Sequence, residues 1–424
     1  MPRPPRDDRH SSRSQQSRGH SRRTQSTPPA TPPGDLTFEC VHFGTCGGCS
    51  LLEQPVAWQL HDKVATSEAL MAPFLNGMRI DYELPERPQR YFRSRLLYPV
   101  KQNTDRQAIL GIYEFRSHHV VEIDECQTQD LWLTELGKTV QGILRELKIE
   151  GFHPNRRRGI AKAFWARLAS GTGEVLAGLV TRPGTFEEGS EFAAALTEKA
   201  AELPNPGRPR QLVGVMHSIS DREDDFMLGD RHMPLRGRDY VVDRRDGLSF
   251  RVSAGSFYQI HSGAGALLYR PAISMCGDVM GKRVIDGYGG VGAFGLRLAK
   301  AGAQEVLVVE DNASSCRDAE QNAIDNNLPQ LKVQRASFTK FKLPTDADLM
   351  VVDPPRSGLR RTGVDKVLAS RPKRLVYVAC APDPMALDIK TLTANGYELT
   401  AMRLCDLFPH TDHVELVARL DRID

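Results

Sequence analysis

From about residue 280 the chain alternates short apolar runs with amphipathic segments, and this alternation restricts its architecture more than any other feature. The stretch "KRVIDGYGGVGAFGLRLAK" reads as a strand, a glycine-rich turn and an amphipathic helix. "EVLVVE" predicts the next strand, followed by a helix over about 312 to 326. "DLMVVD", then "PPRSGLRRTG" and a helix, and "RLVYVAC" with a helix from near Asp383, repeat the unit. The chain closes on "YELTAMRLCDLFPHTDHVELVARL", two strand-like pieces joined by a polar loop. Strands alternating with helices predict an α/β, doubly wound sheet whose ligands bind beyond the C-terminal strand ends.

The glycine turn bears on the ligand. Gly290, Gly292 and Gly295 satisfy G-x-G-x-x-G, and Glu310 follows Gly290 at the spacing of a dinucleotide-binding acid. A nicotinamide dehydrogenase must therefore be weighed. Against it, Asp286 sits at the end of the first strand, where a pyrophosphate would be repelled. A further strand runs straight into "DPPRSG" at Asp353. Acids at three strand ends, Asp286, Glu310 and Asp353, suit a positively charged nucleoside with an amino-acid portion, S-adenosylmethionine. Glu310 is expected to accept from ribose hydroxyls.

A fourth strand end carries Cys380, in "YVACAPDP". A lone cysteine at a strand end more often packs than reacts, but a methyl donor beside the thiol changes its meaning. Carbon 5 of uracil is a poor nucleophile until a thiolate adds to carbon 6; the resulting enolate can then attack a sulfonium methyl. A base must next remove the carbon 5 proton before the thiol leaves. Glu415, in "FPHTDHVEL", is the candidate.

Three of the 8 cysteines crowd into "CVHFGTCGGC" as Cys40, Cys46 and Cys49, with Cys126 the candidate fourth ligand. Four thiolates suit zinc or an iron–sulfur cluster, and spacing alone leaves both open. The CxxC lacks the surroundings of a redox dithiol.

The remainder sets the frame. Residues 37–250 read as an α+β domain with several antiparallel strands, ahead of a second domain at 251–424. In "YFRSRLLYPVK", Arg93, Arg95 and Lys101 interleave with Tyr91, Phe92 and Tyr98, a combination able to stack bases and neutralise phosphates, although an ordinary half-exposed strand reads better. "RRRGI" at 156–160 adds positive charge. Residues 1–36 are expected to be a disordered Arg/Ser/Pro-rich tail, since residues 1–34 hold seven Arg against two Asp and almost no large apolar residue. Neither a secretory segment nor a bilayer-length apolar run is present, so a cytoplasmic protein with no membrane association is expected.

Cys380 in "YVACAPDPMALD", Asp353 in "VVDPPRSG", Gln259 in "SFYQIHS" and Glu415 in "FPHTDHVEL" together resemble the signatures of the bacterial RNA (uracil-5-)-methyltransferase family. The resemblance runs from about residue 38 to the end. It implies a class I S-adenosylmethionine-dependent methyltransferase domain forming 5-methyluridine, with Cys380 as nucleophile and Glu415 as proton acceptor. Gln259, Tyr288, Glu310 and Asp353 would hold S-adenosylmethionine. Cys40, Cys46, Cys49 and Cys126 resemble the 4Fe-4S ligands of the family's ribosomal-RNA branch, which implies RNA as partner, 23S ribosomal before transfer RNA, and a monomer. Three positions depart from the family's pattern: Gly289 where Cys is common, Ala381 where Asn is usual and Leu387 where Arg is usual. The frequent N-terminal RNA-binding barrel has no counterpart here.

Overall fold

The computed structural model describes residues 39–84, 89–153, 158–205, 207–222 and 228–423. The Arg-rich segment at 1–36 and the first two residues of the basic run at 156–160 lie outside the described residues. After the cysteine loop comes helix α1 (Val56–Leu75), followed by strands β1 (Arg95–Gln102), β2 (Ala108–Tyr113) and β3 (Val120–Glu122) and helix α2 (Leu131–Glu146). Strands β4 (Ala161–Leu168) and β5 (Glu174–Thr181), helix α3 (Gly189–Ala201), β6 (Gln211–Ile219) and β7 (Arg231–Gly237) complete a seven-stranded sheet in the order β3-β2-β1-β4-β5-β6-β7. Every pairing is antiparallel except β5 with β6, which α3 connects as a crossover.

Strand β4 explains why this region reads as apolar on both faces. Side chains alternate along a strand. Phe164, Ala166 and Leu168 enter the core under α2 and α3, while Ala163 and Trp165 enter the core shared with the second half of the chain. Gly178 on β5 makes room for the Trp165 indole, because a Cβ there would stand 2.7 Å from it. In "YFRSRLLYPVK" the ordinary reading holds. Phe92 and Tyr98 are buried, burial lowers the Arg95 guanidinium below its usual range, and Arg93 donates to Gly48 O at 3.1 Å.

A two-stranded ribbon, β8 (Tyr240–Arg245) and β9 (Leu248–Ser253), leads through a π-helical turn (Gly265–Tyr269) and α4 (Arg270–Cys276) into the second sheet. Its elements are β10 (Arg283–Gly287), α5 (Ala293–Lys300), β11 (Glu305–Glu310), α6 (Ala313–Asp325), β12 (Leu331–Arg335), β13 (Leu349–Val352), α7 (Arg360–Ser370), β14 (Arg374–Ala379), α8 (Pro382–Thr393), β15 (Tyr397–Cys405) and β16 (Glu415–Arg422). The strand order is β12-β11-β10-β13-β14-β16-β15. All neighbours are parallel except β16, which runs antiparallel to both β14 and β15. That reversed strand separates the sheet from the 3-2-1-4-5-6 order of dinucleotide-binding folds.

Helix α1 packs against α8 and β15, far along the sequence. Leu60, Val64 and Met71 share one core with Met385, Ile389 and Leu404. None of the described helices is long and apolar enough to cross a membrane.

Candidate active site and cysteine cavity

The C-terminal ends of β10, β11, β13 and β14 gather the acids and the thiol. Asp286, on β10, is 1% exposed, and its Oδ2 accepts the Gly295 N–H at 2.7 Å. It ties the first turn of α5 to the sheet from beneath, rather than standing open to a ligand. Burial raises its carboxyl to about 7, with Asp353 and Glu310 adding to the effect. The following turn holds Tyr288, Gly290 and Gly292 at positive φ of 58°, 55° and 82°. Tyr288 sustains this conformation with its ring 4.8 Å from that of Phe338. Glu310 clamps the same turn: Oε2 accepts Gly290 N–H at 2.9 Å and Oε1 accepts Asn312 N–H at 2.8 Å. A carboxylate has further lone pairs, so two ligand hydroxyls remain within its capacity.

Asp353 follows β13, and burial raises its carboxyl to about 7. The "PPRSG" loop after it is fastened by Asp388 of α8, whose Oδ2 accepts Leu359 N–H at 2.8 Å and the Tyr377 hydroxyl at 2.7 Å. Ala379 on β14 pairs with Leu416 on β16. One step beyond, Cys380 and Glu415 face one another electrostatically. Burial raises the Cys380 thiol, Glu415 and Asp353 raise it further, and Arg356 opposes them. Glu415 is 2% exposed, and burial, then Asp353, hold its carboxyl well above the ordinary carboxylate range.

Cys380 opens onto a cavity of about 680 Å³. Its other walls come from α1 (Gln59, Lys63, Ser67), from the loop before β16 (Asp412, His413) and from Arg356. Gln59 and Lys63 were not foreseen as site residues. Helical periodicity marks α1 as a helix but carries no sign of residues more than 340 positions away. Lys63 Nζ, nearly buried, donates to Asp406 Oδ1 at 2.7 Å and Phe408 O at 3.0 Å, fixing the base of that loop.

Gln259 is half-buried and borders a separate small pocket with Ser94, Arg245 and His261. Its segment nonetheless approaches the glycine turn, since Phe257 O lies 3.9 Å from where a Cβ on Gly290 would stand.

The three departures have local physical accounts. A Cβ on Gly289 would meet Val308 Cγ1 at 2.6 Å, so this packing favours glycine. Ala381 is the N-cap of α8 and offers no side-chain cap, while Pro382 opens the helix without an N–H to satisfy. Leu387 points into solvent, 68% exposed.

Cys40, Cys46, Cys49 and Cys126 line one cavity beneath Arg93 and Ile112. Two sulfurs already accept backbone N–H groups, Cys46 from Gly48 at 3.3 Å and Cys126 from Gln129 at 3.3 Å. A Cβ on Gly48 would lie 3.3 Å from the Cys46 sulfur. Burial raises Cys49 to about 11, Arg93 pulls it back, and the other three sulfurs push it up. Among the described residues no three His, Cys, Asp or Glu side chains form a group suited to a single metal ion.

Comparison with known proteins agrees with this geometry. A model of the family described as tRNA (Uracil-5-)-methyltransferase matches residues 237–423. An uncharacterized RNA methyltransferase of Staphylococcus epidermidis is 31% identical over 392 residues, 90% of this chain and 83% of that protein. One of Halalkalibacterium halodurans is 28% identical over 396 residues, 92% of this chain and 84% of that protein. The crystal structure of Pyrococcus abyssi tRNA (uracil-54, C5)-methyltransferase with S-adenosyl-L-homocysteine is similar at a TM-score of 0.70 and 26% identity, covering 88% of this chain and 84% of that one. With such identity sustained along nine-tenths of its length, the chain belongs to the RNA (uracil-5-)-methyltransferase family.

Proposed function

We propose that the protein forms 5-methyluridine in 23S ribosomal RNA, with Cys380 as nucleophile, Glu415 as base and S-adenosylmethionine as methyl donor. The observation that carries this reading is the approach of Cys380 and Glu415 across β14 and β16, beside Asp353, with Cys380 on the wall of the cavity and Glu415 buried behind it. A thiol and a carboxyl so placed serve both ends of the reaction. The Cys380 sulfur, once deprotonated, adds to carbon 6 of the ring, and carbon 5 then takes the donor's methyl group as S-adenosylhomocysteine leaves. Glu415, ionised, later takes the proton from carbon 5, and the thiolate leaves as the ring double bond reforms.

The donor supplies an electrophilic methyl group and a positive charge. Glu310, Asp353 and Glu415 carry carboxyls raised first by burial, a condition that a bound cation relieves. Glu310 and Asp353 would hold the donor through ribose hydroxyls and charge, Tyr288 would flank it, and Gln259 would close over it from its own segment.

Two observations support a 4Fe-4S cluster here: four cysteines line one cavity, and backbone N–H groups point at two of the sulfurs. Methyl transfer needs no electron, so its part is to hold the loop. The ribosomal assignment rests on this cysteine set. Transfer RNA is the second reading, favoured by the activity named for the Pyrococcus abyssi structure. The protein is taken to act as a cytoplasmic monomer. Incubation with labelled S-adenosylmethionine and unmodified 23S ribosomal and transfer RNA, followed by mapping of the product, decides the target. Label at a position other than uracil carbon 5 overturns the chemistry.

A further inference from the structure

The turn joining β2 to β3 carries an aromatic and a cation outward from a sheet that buries most of its aromatics. Phe115 is 59% exposed, and the Arg116 guanidinium stands 5.1 Å from its ring centroid. Tyr113 and His118 meet edge to face at 5.6 Å, and Lys101 Nζ lies 5.9 Å from the Tyr113 ring. Beneath them is a shallow pocket of about 290 Å³, lined by Leu97, Pro99, Ile112 and turn residues 113–117, with the Glu114 carboxylate 3.5 Å from the His119 ring. Exposed π-faces beside cations, over an apolar floor, match an unpaired nucleotide, whose base stacks and whose phosphate is anionic.

The backbone ties this turn to the catalytic cavity. Gly47 N–H donates to Tyr113 O at 2.9 Å and Phe115 N–H to Thr45 O at 3.2 Å, which joins the turn to the cysteine loop. Four residues beyond Gly47, Leu51 lines the Cys380 cavity, as does Gln54. A single segment, residues 45–54, thus has the aromatic turn along one end and the reacting thiol's cavity along the other.

We infer that Phe115 and Arg116 form a docking platform for a single-stranded stretch of the RNA substrate, Phe115 stacking a base and Arg116 contacting its phosphate. This rests on the reading of the protein as an RNA methyltransferase.

The test uses the full chain with Phe115→Ala, Phe115→Trp and Arg116→Ala. Methylation kinetics on transcribed 23S ribosomal and transfer RNA are measured alongside binding of a labelled oligouridylate. Phe115→Ala should raise the KM for RNA and weaken oligouridylate binding by roughly 5- to 100-fold, the worth of one stacked base. kcat at saturating RNA and the thermal midpoint should not move. Phe115→Trp should restore affinity, and Arg116→Ala should reduce the salt slope of binding by about one. Unchanged KM and affinity in Phe115→Ala, with an active wild type, overturn the platform. Should the wild type methylate neither RNA, the reading of the catalytic site fails by itself. Oligouridylate binding then judges the platform: weaker binding by Phe115→Ala supports it, and equal binding overturns it.

Discussion

The Oε1 of Gln59 accepts the backbone N–H of His410 at 2.8 Å, across 351 positions of sequence. The same buried side chain donates through Nε2 to Leu51 O at 2.9 Å and Gln54 O at 2.7 Å. Ser50 and Leu51 return two N–H bonds to His410 O, each at 3.0 Å. One glutamine therefore fastens the segment after the cysteine loop, helix α1 and the loop that leads into Glu415. His410 is held at φ 68°, a conformation that a non-glycine residue keeps only when its surroundings impose it.

Gln59→Ala removes the acceptor of a buried N–H and the donor to two carbonyls. Each group left unsatisfied costs about 1–3 kcal/mol, so chemical denaturation should give a clearly lower midpoint. Because Asp412, His413 and Glu415 follow His410, kcat should fall more than the KM for S-adenosylmethionine rises. An unchanged midpoint and kcat would show that the knot bears no strain.

The two chemical roles separate in single variants. Cys380→Ala should abolish methylation and form no covalent RNA adduct. Glu415→Gln should still permit thiol addition and methyl transfer but stall before the carbon 5 proton leaves, since elimination requires that loss. A methylated protein–RNA species should then survive a denaturing gel. If Glu415 only packs, the Gln variant turns over at a near-normal rate and no adduct accumulates.

The acids also predict a pH dependence. Burial holds Asp353 at about 7, and Asp286 at about 7, against about 4 in an unfolded chain. Between those values the folded protein retains protons that the unfolded chain has released. Their contribution to stability is therefore full below about pH 4 and is lost as pH rises through about 7. A cation favours the ionised carboxylates, so its binding should strengthen over the same window. The thermal midpoint shift produced by S-adenosylmethionine should exceed that of S-adenosylhomocysteine by a margin that widens from about pH 6 to about pH 8. Asp353→Asn should flatten that widening. A margin constant with pH in the wild type would contradict the account.

How much of this was legible follows from the range of each interaction. Strands β10, β11, β13 and β14 announce themselves because each is a short apolar run closed by Gly, Pro or an acid, a local pattern. The same locality identified Asp353, Glu310 and Cys380 as strand-end residues. That β16 inserts between β14 and β15, bringing Glu415 to Cys380, is a register decision among distant segments; the need for a base singled out Glu415 on a terminal strand, but no local pattern showed which strand it would pair with. Asp286 misled for a related reason. Its place in the sequence says strand end, but only the folded turn reveals that Gly295 N–H already occupies it. The aromatics and cations of "YFRSRLLYPVK" allow a binding surface in sequence but read better as an ordinary strand, and the fold agrees by burying Phe92 and Tyr98. Gln59 left no local signal at all.

The cysteine cavity yields the last prediction. Burial raises the Cys46 and Cys49 thiols, so these two stay protonated near neutral pH while the site is empty. A cluster binds thiolates, releases those protons and couples its binding energy to the local fold. Protein purified without oxygen should therefore be brown and carry about four irons per chain. Cys49→Ser should lose that iron. Because the cysteine loop bonds to the Phe115 turn through Gly47 and Thr45, and to His410 through Ser50 and Leu51, the loss should show in two further readouts. Amide hydrogens of residues 45–51 and 113–119 should exchange faster, and the KM for RNA should rise, while S-adenosylmethionine affinity stays near the wild-type value because the donor's acids stand on the second sheet. Stoichiometric zinc without iron would rule the cluster out. Unchanged exchange in an iron-free Cys49→Ser variant would mean that the loop is held by its hydrogen bonds alone.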